Sequence, residues 1–225
     1  MPVTLANESA RQTLERAAPS LGLTLAAPQR DALLAYLDLI AKWTRVYNLT
    51  AVRDPAEMLT HHLLDSLAAI APLQRQLEQR GLEQGARLLD VGSGAGLPGV
   101  VMAICCPTLE VTCVDAVAKK VAFITQASLA LQLPNLTGTH ARVESITEPF
   151  DVICSRAFAS LADFTAWSQS ALAPHGVWMA MKGKHPTDEL AALPASVTVF
   201  HVEQLQVPGL DAERCVVWMR PTAAE

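Results

Sequence analysis

A short apolar run that breaks into alternating glycines, Arg87-Leu-Leu-Asp-Val-Gly-Ser-Gly-Ala-Gly-Leu-Pro-Gly99, constrains this chain more than any other segment. Leu88, Leu89 and Val91 are the branched residues of a buried strand. Gly92, Gly94 and Gly96 let the backbone turn sharply and approach a ligand with no Cβ in the way. Pro98 sits where a first helical turn tolerates a missing N–H. Strand, glycine turn and helix in that order read as the ligand cradle of an α/β fold.

The glycines alone do not choose the ligand, because Gly94 to Gly99 also satisfies the dinucleotide pattern G-x-G-x-x-G. Asp90 adds chemistry: a carboxylate beside the loop repels a pyrophosphate and attracts a sulfonium cation carrying an α-ammonium group. That favours S-adenosyl-L-methionine over NAD. About twenty residues beyond the glycines, Leu109-Glu-Val-Thr-Cys-Val-Asp115 reads as a second strand ending in an acid placed to accept from ribose hydroxyls. Asp115 can also cap the helix that begins near Val117, and the two roles are compatible.

The 225 residues are 51% hydrophobic and 17% charged, enough for one sizeable core with a small extension. The five cysteines lie in apolar runs rather than in metal-ligand spacings, and read as buried free thiols of a reducing compartment with no metal site. Met1 to Ser9 has no basic region followed by an apolar one, and no apolar run approaches the roughly twenty residues of a bilayer span. A cytoplasmic protein with no membrane contact is expected. A net charge of −5 argues against avid unspecific nucleic-acid binding but leaves room for a local basic patch.

Residues 28 to 71 carry two helical stripes, Leu33, Leu34, Leu37, Ile40 and Ala41, then Leu59, Leu63, Leu64, Leu67 and Ile70. Asp54-Pro55 supplies an N-cap and a first-turn proline for a new helix. The polar, glycine-bounded stretch Gln79 to Gly85 separates a helical cap, residues 1–82, from a sheet domain, residues 83–225. Strands are expected near 86–91, 109–115, 136–141, 150–155 and 176–182, alternating with helix-length segments, which specifies a parallel sheet covered on both faces. Val197 to Val202 and Cys215 to Met219, joined through Pro208-Gly209, read as a closing antiparallel pair.

Taken alone, several residues have unremarkable readings. Asn48 caps a turn, His62 is a core histidine on an apolar helix, and Glu144 is a solvated acid. Trp43, Trp167, Trp178 and Trp218 belong to the core, and Cys154 lies in a strand interior. Arg156 is different: it ends the buried run Val152-Ile-Cys-Ser155 at the edge where open α/β sheets bind ligands, with a buried salt bridge as the alternative. Lys182 ends the fifth strand in the same way.

Lys42-Trp43 with Tyr47-Asn-Leu-Thr50, His62-Leu-Leu-Asp-Ser66, Asp90 to Gly99, Arg142-Val-Glu144, Ser155-Arg-Ala-Phe-Ala-Ser160, Lys182-Gly183, Leu205-Gln-Val-Pro208 and Glu213-Arg214 together resemble one family. It is the bacterial 16S rRNA guanine-N7 methyltransferases, also called glucose-inhibited division protein B. The resemblance implies a class I S-adenosylmethionine-dependent methyltransferase, a Rossmann-like, mostly parallel seven-stranded sheet with an N-terminal helical extension. It also implies methylation of one guanine of 16S rRNA near the decoding region, on the RNA or on the small ribosomal subunit. Cofactor contacts carried over fall on Gly92, Leu97, Val143, Glu144 and Arg156, beside the Asp90, Gly94, Gly96 and Asp115 read from the strand and loop. Arg142, Lys182, Asn48 and His62 become RNA-binding candidates, with Arg156, Lys182 and Arg142 forming a small basic cluster. Arg156 and Lys182 are the catalytic candidates, holding the target's phosphate or O6. The chain departs from its relatives at His61, where arginine is frequent, and at Ala95, where proline is.

Guanine N7 carries an in-plane lone pair and no proton, so no catalytic base is required. The stretch Ser155-Arg-Ala-Phe158 accordingly lacks the Asn-Pro-Pro-Tyr type of motif that amine methylation uses. Two other readings are a noncatalytic ribosome-assembly factor that keeps the fold and an NAD-dependent oxidoreductase. The second lacks a Tyr-x-x-x-Lys constellation, since the only tyrosines are Tyr36 and Tyr47 of the helical extension.

Overall fold

Runs rich in branched and sulfur-bearing residues, alternating with helix-length segments, leave every strand needing cover on two faces. The computed structural model, which describes residues 5–223, folds these runs into one seven-stranded sheet. Met1 to Thr4, the start of the N-terminal stretch read above, lie outside the described residues. The strands are β1 (Arg87–Val91), β2 (Glu110–Asp115), β3 (Leu136–His140), β4 (Phe150–Arg156), β5 (Leu172–Lys182), β6 (Val197–Leu205) and β7 (Arg214–Pro221). Their order is β3-β2-β1-β4-β5-β7-β6. β1 to β5 pair parallel, and β7 pairs antiparallel with both β5 and β6. Strand order reverses between β1 and β4, so the crevice of the fold opens above their carboxyl ends.

β5 begins at Leu172 rather than near 176, pairing there with Phe150 before its register against β4 shifts and Val177 meets Val152. The Pro174-His175-Gly176 stretch hides that start in the sequence.

Alternation along the strands sends Leu88, Val111, Val152 and Met179 to one face, and Leu89, Val114, Ile153 and Trp178 to the other. The first face packs against α6 (Gly99–Cys105) and α7 (Ala118–Ala130), and its core runs on into the N-terminal helices. These are α1 (Leu5–Ser20), α2 (Ala27–Tyr47), α3 (Pro55–Met58), α4 (Asp65–Leu67) and α5 (Ile70–Gln79). A π-helical turn, Leu59–Leu64, joins α3 to α4. The second face is covered by α8 (Leu161–Ser168), with α9 (Thr187–Ala191) beside it.

Both predicted stripes are buried except Ala41, which is half-buried. Asp54 caps α3, its Oδ1 accepting from the N–H groups of Ala56 at 2.8 Å and Glu57 at 3.1 Å. Asn48 ends α2 in the left-handed region at φ 50°. Pro98 stands one residue ahead of its expected place, preceding α6 while its carbonyl accepts from Met102 N–H at 3.0 Å. All five cysteines are buried and free. Trp178 and Trp218 are core residues, but Trp167 is 41% exposed, contrary to the core reading. Among the described residues no helix is long and apolar enough to cross a membrane, and no group of His, Cys, Asp and Glu could hold a metal ion.

Asp90, fully buried on β1, ties α6 to the strand it follows: its Oδ2 accepts from Gly99 N–H at 2.9 Å. Burial pushes this carboxyl up to about 7, against the opposing pull of that N–H and of Arg156. Asp90→Ala leaves Gly99 N–H without its partner and is expected to cost about 1–3 kcal/mol in chemical denaturation. Asp90→Asn keeps an acceptor oxygen and is expected to cost less.

Candidate functional site

The turn after β1 passes through Gly92, Gly94 and Gly96 at φ 63°, 60° and 82°, conformations that L side chains rarely adopt. Each glycine answers a different neighbour. A Cβ on Gly92 would lie 2.2 Å from Phe158 Cδ2, and one on Gly96 would lie 2.5 Å from Val100 Cγ2. A Cβ on Gly94 would meet open space, its nearest atom the Gly92 carbonyl at 3.9 Å. Gly96 therefore serves internal packing, Gly92 makes room for the Phe158 ring, and Gly94 presents bare backbone outward.

Buried side chains hold this backbone from below. Asp115 Oδ2 accepts from Gly94 N–H at 2.9 Å, while its Oδ1 accepts from Val117 N–H at 2.8 Å. Tyr36, reaching across from α2, donates to the Ala95 carbonyl at 2.5 Å, with the Gly96 carbonyl at 3.1 Å. Burial pushes the Tyr36 phenol well above its ordinary range, which keeps its proton in place for that bond.

Two cavities meet over the loop, both touching Gly92 and Ala157. The smaller, about 320 Å³, is walled by Val143, Phe158 and Trp167, with Asp115, Arg142 and Glu144 at its polar margin. Phe158 and Trp167 pack edge to face, centroids 5.9 Å apart. Each Asp115 oxygen accepts one backbone N–H, with Lys120 Nζ a further 3.7 Å from Oδ2, and keeps acceptor capacity for a ligand diol. The larger, about 460 Å³, holds Leu97, His62, Asp65, Arg156, Lys182 and Arg214 among its lining. Ala157, at φ 52°, lies between Arg156 in one cavity and Phe158 in the other. An aromatic wall, a carboxylate with acceptor capacity and a group of cations thus lie on either side of the loop.

Ion pairs set the charge of the larger cavity. Asp65, on α4, bridges Arg156 of β4 at 2.8 Å and Arg214 of β7 at 2.7 Å. Arg156 also donates to the His61 carbonyl in the π-helical turn at 2.9 Å. Lys182 is held by Glu189 at 2.7 Å and by the Ala159 carbonyl at 2.9 Å. Three cations and one carboxylate thus line the cavity.

Several sequence expectations change here. Arg142 does not join Arg156 and Lys182; it lies in the smaller cavity, 82% exposed, 3.9 Å from Glu144. Asp90 lines neither cavity, since strand alternation turns its carboxylate beneath the loop toward α6. Gly96 is likewise internal. Asn48 ends α2 with its side-chain oxygen accepting from Arg53 at 2.7 Å, and lies outside the cavity that the next two residues line. His62 does line it, with its Nε2 2.8 Å from Thr50 Oγ1.

Sequence reasoning missed Asp65, Arg214, Glu189 and Tyr36 as parts of the site. Signals for two of them existed: an acid inside the apolar run Leu63-Leu64-Asp65-Ser66-Leu67 requires a buried cation, and a tyrosine on an apolar stripe requires a partner for its hydroxyl.

The family model described as rRNA small subunit methyltransferase G (GidB) matches residues 29–217. A protein of Polaromonas naphthalenivorans (strain CJ2), named ribosomal RNA small subunit methyltransferase G, is 72% identical over 96% of this chain and 98% of its own length. Among solved structures, magnesium protoporphyrin IX methyltransferase (ChlM) from Synechocystis PCC 6803 with bound SAM superposes with a TM-score of 0.58. It is 11% identical and covers 82% of this chain and 97% of that one. TrmN from Thermus thermophilus gives 0.54 at 20% identity, over 70% of this chain and 49% of that one. At these identities the structures speak to the fold.

Burial, and then Arg156, push His62 down to about 4 from the ordinary 6.5, so it is neutral at pH 7. Between those values the unfolded chain binds the proton before the fold does, so this group's contribution to stability is lost as pH falls from 6.5 to 4. An NMR titration of the histidine ring protons is expected to show His62 midway near 4. His62→Gln is expected to flatten that part of the stability profile.

Proposed function

Because this chain belongs to the rRNA small subunit methyltransferase G family, we propose that it binds S-adenosyl-L-methionine across the two joined cavities and methylates N7 of a guanine in 16S rRNA near the decoding region. The observation that carries this reading is the pairing of an aromatic, acid-edged cavity with a cation-rich one at Gly92, above the switch point of the sheet. The cation excess of the larger cavity suits a phosphate-bearing substrate and reconciles local RNA contact with a net charge of −5.

The residues fit the cofactor. Asp115 would accept from the ribose hydroxyls, Val143 and Glu144 would hold the adenine, and Gly92, Gly94 and Leu97 would border the methionine part. When bound, S-adenosylmethionine supplies a methyl group on a sulfonium centre. Asp90 and Gly96 act from beneath, by fixing the loop.

Guanine N7 offers a lone pair and no proton, so the chain has no base to provide. Asp65, the one carboxylate lining the larger cavity among the described residues, is held by two arginines. Arg156 and Lys182 orient the target nucleotide through its phosphate or O6. Both hydrogen bonds of Arg156 to the protein among the described residues run through Nη1, leaving the Nε and Nη2 hydrogens for the substrate. Neutral His62 borders the target base, and Arg142 and Asn48 lie outside that cavity at positions suited to flanking RNA. Catalysis is then positioning and electrostatics. Residues 1–82 serve as the cap that completes the substrate side and residues 83–225 as the methyltransferase unit, in a cytoplasmic protein whose substrate is the small subunit or its RNA.

The test is transfer of labelled methyl to small ribosomal subunits and to deproteinised 16S rRNA from a strain lacking this protein, with the modified base mapped. A single N7-methylguanine is expected. Arg156→Ala is expected to lose roughly 10²-fold in rate at saturating cofactor. No transfer to either substrate, with cofactor binding intact, contradicts the proposal.

A further inference from the structure

The carboxyl end of α2 presents a surface that the cofactor site does not use. Val46 is 69% exposed and Tyr47 50%, adjacent members of a short set of large apolar side chains left in water among the described residues. The Tyr47 ring lies against Trp43, centroids 5.1 Å apart at 39°. Trp43 in turn packs edge to face on the fully buried Phe123 of α7, centroids 5.3 Å apart. An exposed ring resting on one anchored in the core is a pre-organised flat surface.

Its surroundings select the partner. From residue 42 to residue 53 the chain carries Lys42, Arg45 and Arg53 and no acid, within a protein of net charge −5. All three cations are exposed. Asp54, the next acid along, has its carboxylate engaged by the N–H groups that begin α3. Leu49 and Thr50, two and three residues beyond Tyr47, line the larger cavity, so the ring stands a short step along the chain from the cleft. Cations around an exposed tyrosine backed by a half-buried tryptophan match the stacking platforms on which unpaired bases lie over a ring while their phosphates meet lysine and arginine.

We infer that Tyr47, backed by Trp43 and flanked by Lys42 and Arg45, stacks an unpaired base of the rRNA neighbouring the nucleotide held in the cleft. This rests on the rRNA methyltransferase reading above. The cleft takes the target base, and the platform holds the strand that enters it.

The test measures binding of deproteinised 16S rRNA, of a short unpaired RNA oligonucleotide and of the same oligonucleotide in a duplex, with methyl transfer recorded in parallel. Tyr47→Ala is expected to weaken binding of the 16S rRNA and the unpaired oligonucleotide about tenfold or more at unchanged melting temperature, with far less effect on the duplex. Tyr47→Phe, which keeps the ring, is expected to restore binding. Arg45→Gln is expected to lower the slope of log affinity against log salt by about one, a slope that Tyr47→Ala leaves alone. Equal affinity of wild type and Tyr47→Ala, in a protein that binds and methylates 16S rRNA, overturns the platform and leaves the functional reading standing. So does equal weakening on duplex and unpaired RNA. Equal RNA affinity with a loss of self-association in sedimentation overturns it in favour of a contact between copies. A wild-type protein that binds no RNA overturns both readings.

Discussion

The glycine turn keeps its shape because carboxylates at the ends of two neighbouring strands, and one phenol from the helical extension, hold its backbone. Asp90 receives Gly99 N–H, Asp115 receives Gly94 N–H, and Tyr36 donates to the carbonyls of Ala95 and Gly96. All three side chains are buried, so each bond is made where an unpaired partner would go unsolvated. A loop in left-handed conformations at three glycines has little local preference for one shape, and these contacts supply it. Both cavities are bordered by that loop, and their geometry follows from it.

Asp65 does the corresponding work for the substrate side. Its double pairing with Arg156 and Arg214 spans α4, β4 and β7, and joins the helical extension to the carboxyl edge of the sheet. Such a buried network need not add net stability, because desolvating three charges offsets their attraction. Its consequence is placement: Arg156 is fixed through Nη1 and turned into the cleft. Burial, and after it the same Arg156, depress His62, so that imidazole stays neutral beside the charged guanidinium groups.

The strand-helix alternation, the closing antiparallel pair and the glycine turn were legible because period-two burial and backbone punctuation are local properties. Which face each strand residue takes was not. Leu88 and Asp90 share a face by parity, but only the packing of α6 shows that the acid points beneath the loop instead of into the cavity. The Asp65 pairs were hidden by distance along the chain, 91 residues to Arg156 and 149 to Arg214. Trp167 misled because an apolar residue on a short helix does not reveal which side faces the sheet, and here it stands at the rim of a cavity. Assigning RNA and guanine N7 required the resemblance; no residue spacing chose them.

The most direct measurement is a calorimetric titration of S-adenosylhomocysteine into Tyr36→Phe. If the helical extension shapes the cofactor loop, removing one hydroxyl that touches no ligand weakens binding about tenfold, through the Ala95 carbonyl left unpaired behind the loop at about 1–3 kcal/mol, while the Gly96 carbonyl keeps Val100 N–H. Wild-type affinity in a variant whose melting temperature falls would mean that Tyr36 serves stability alone and that the loop holds its shape without the cap.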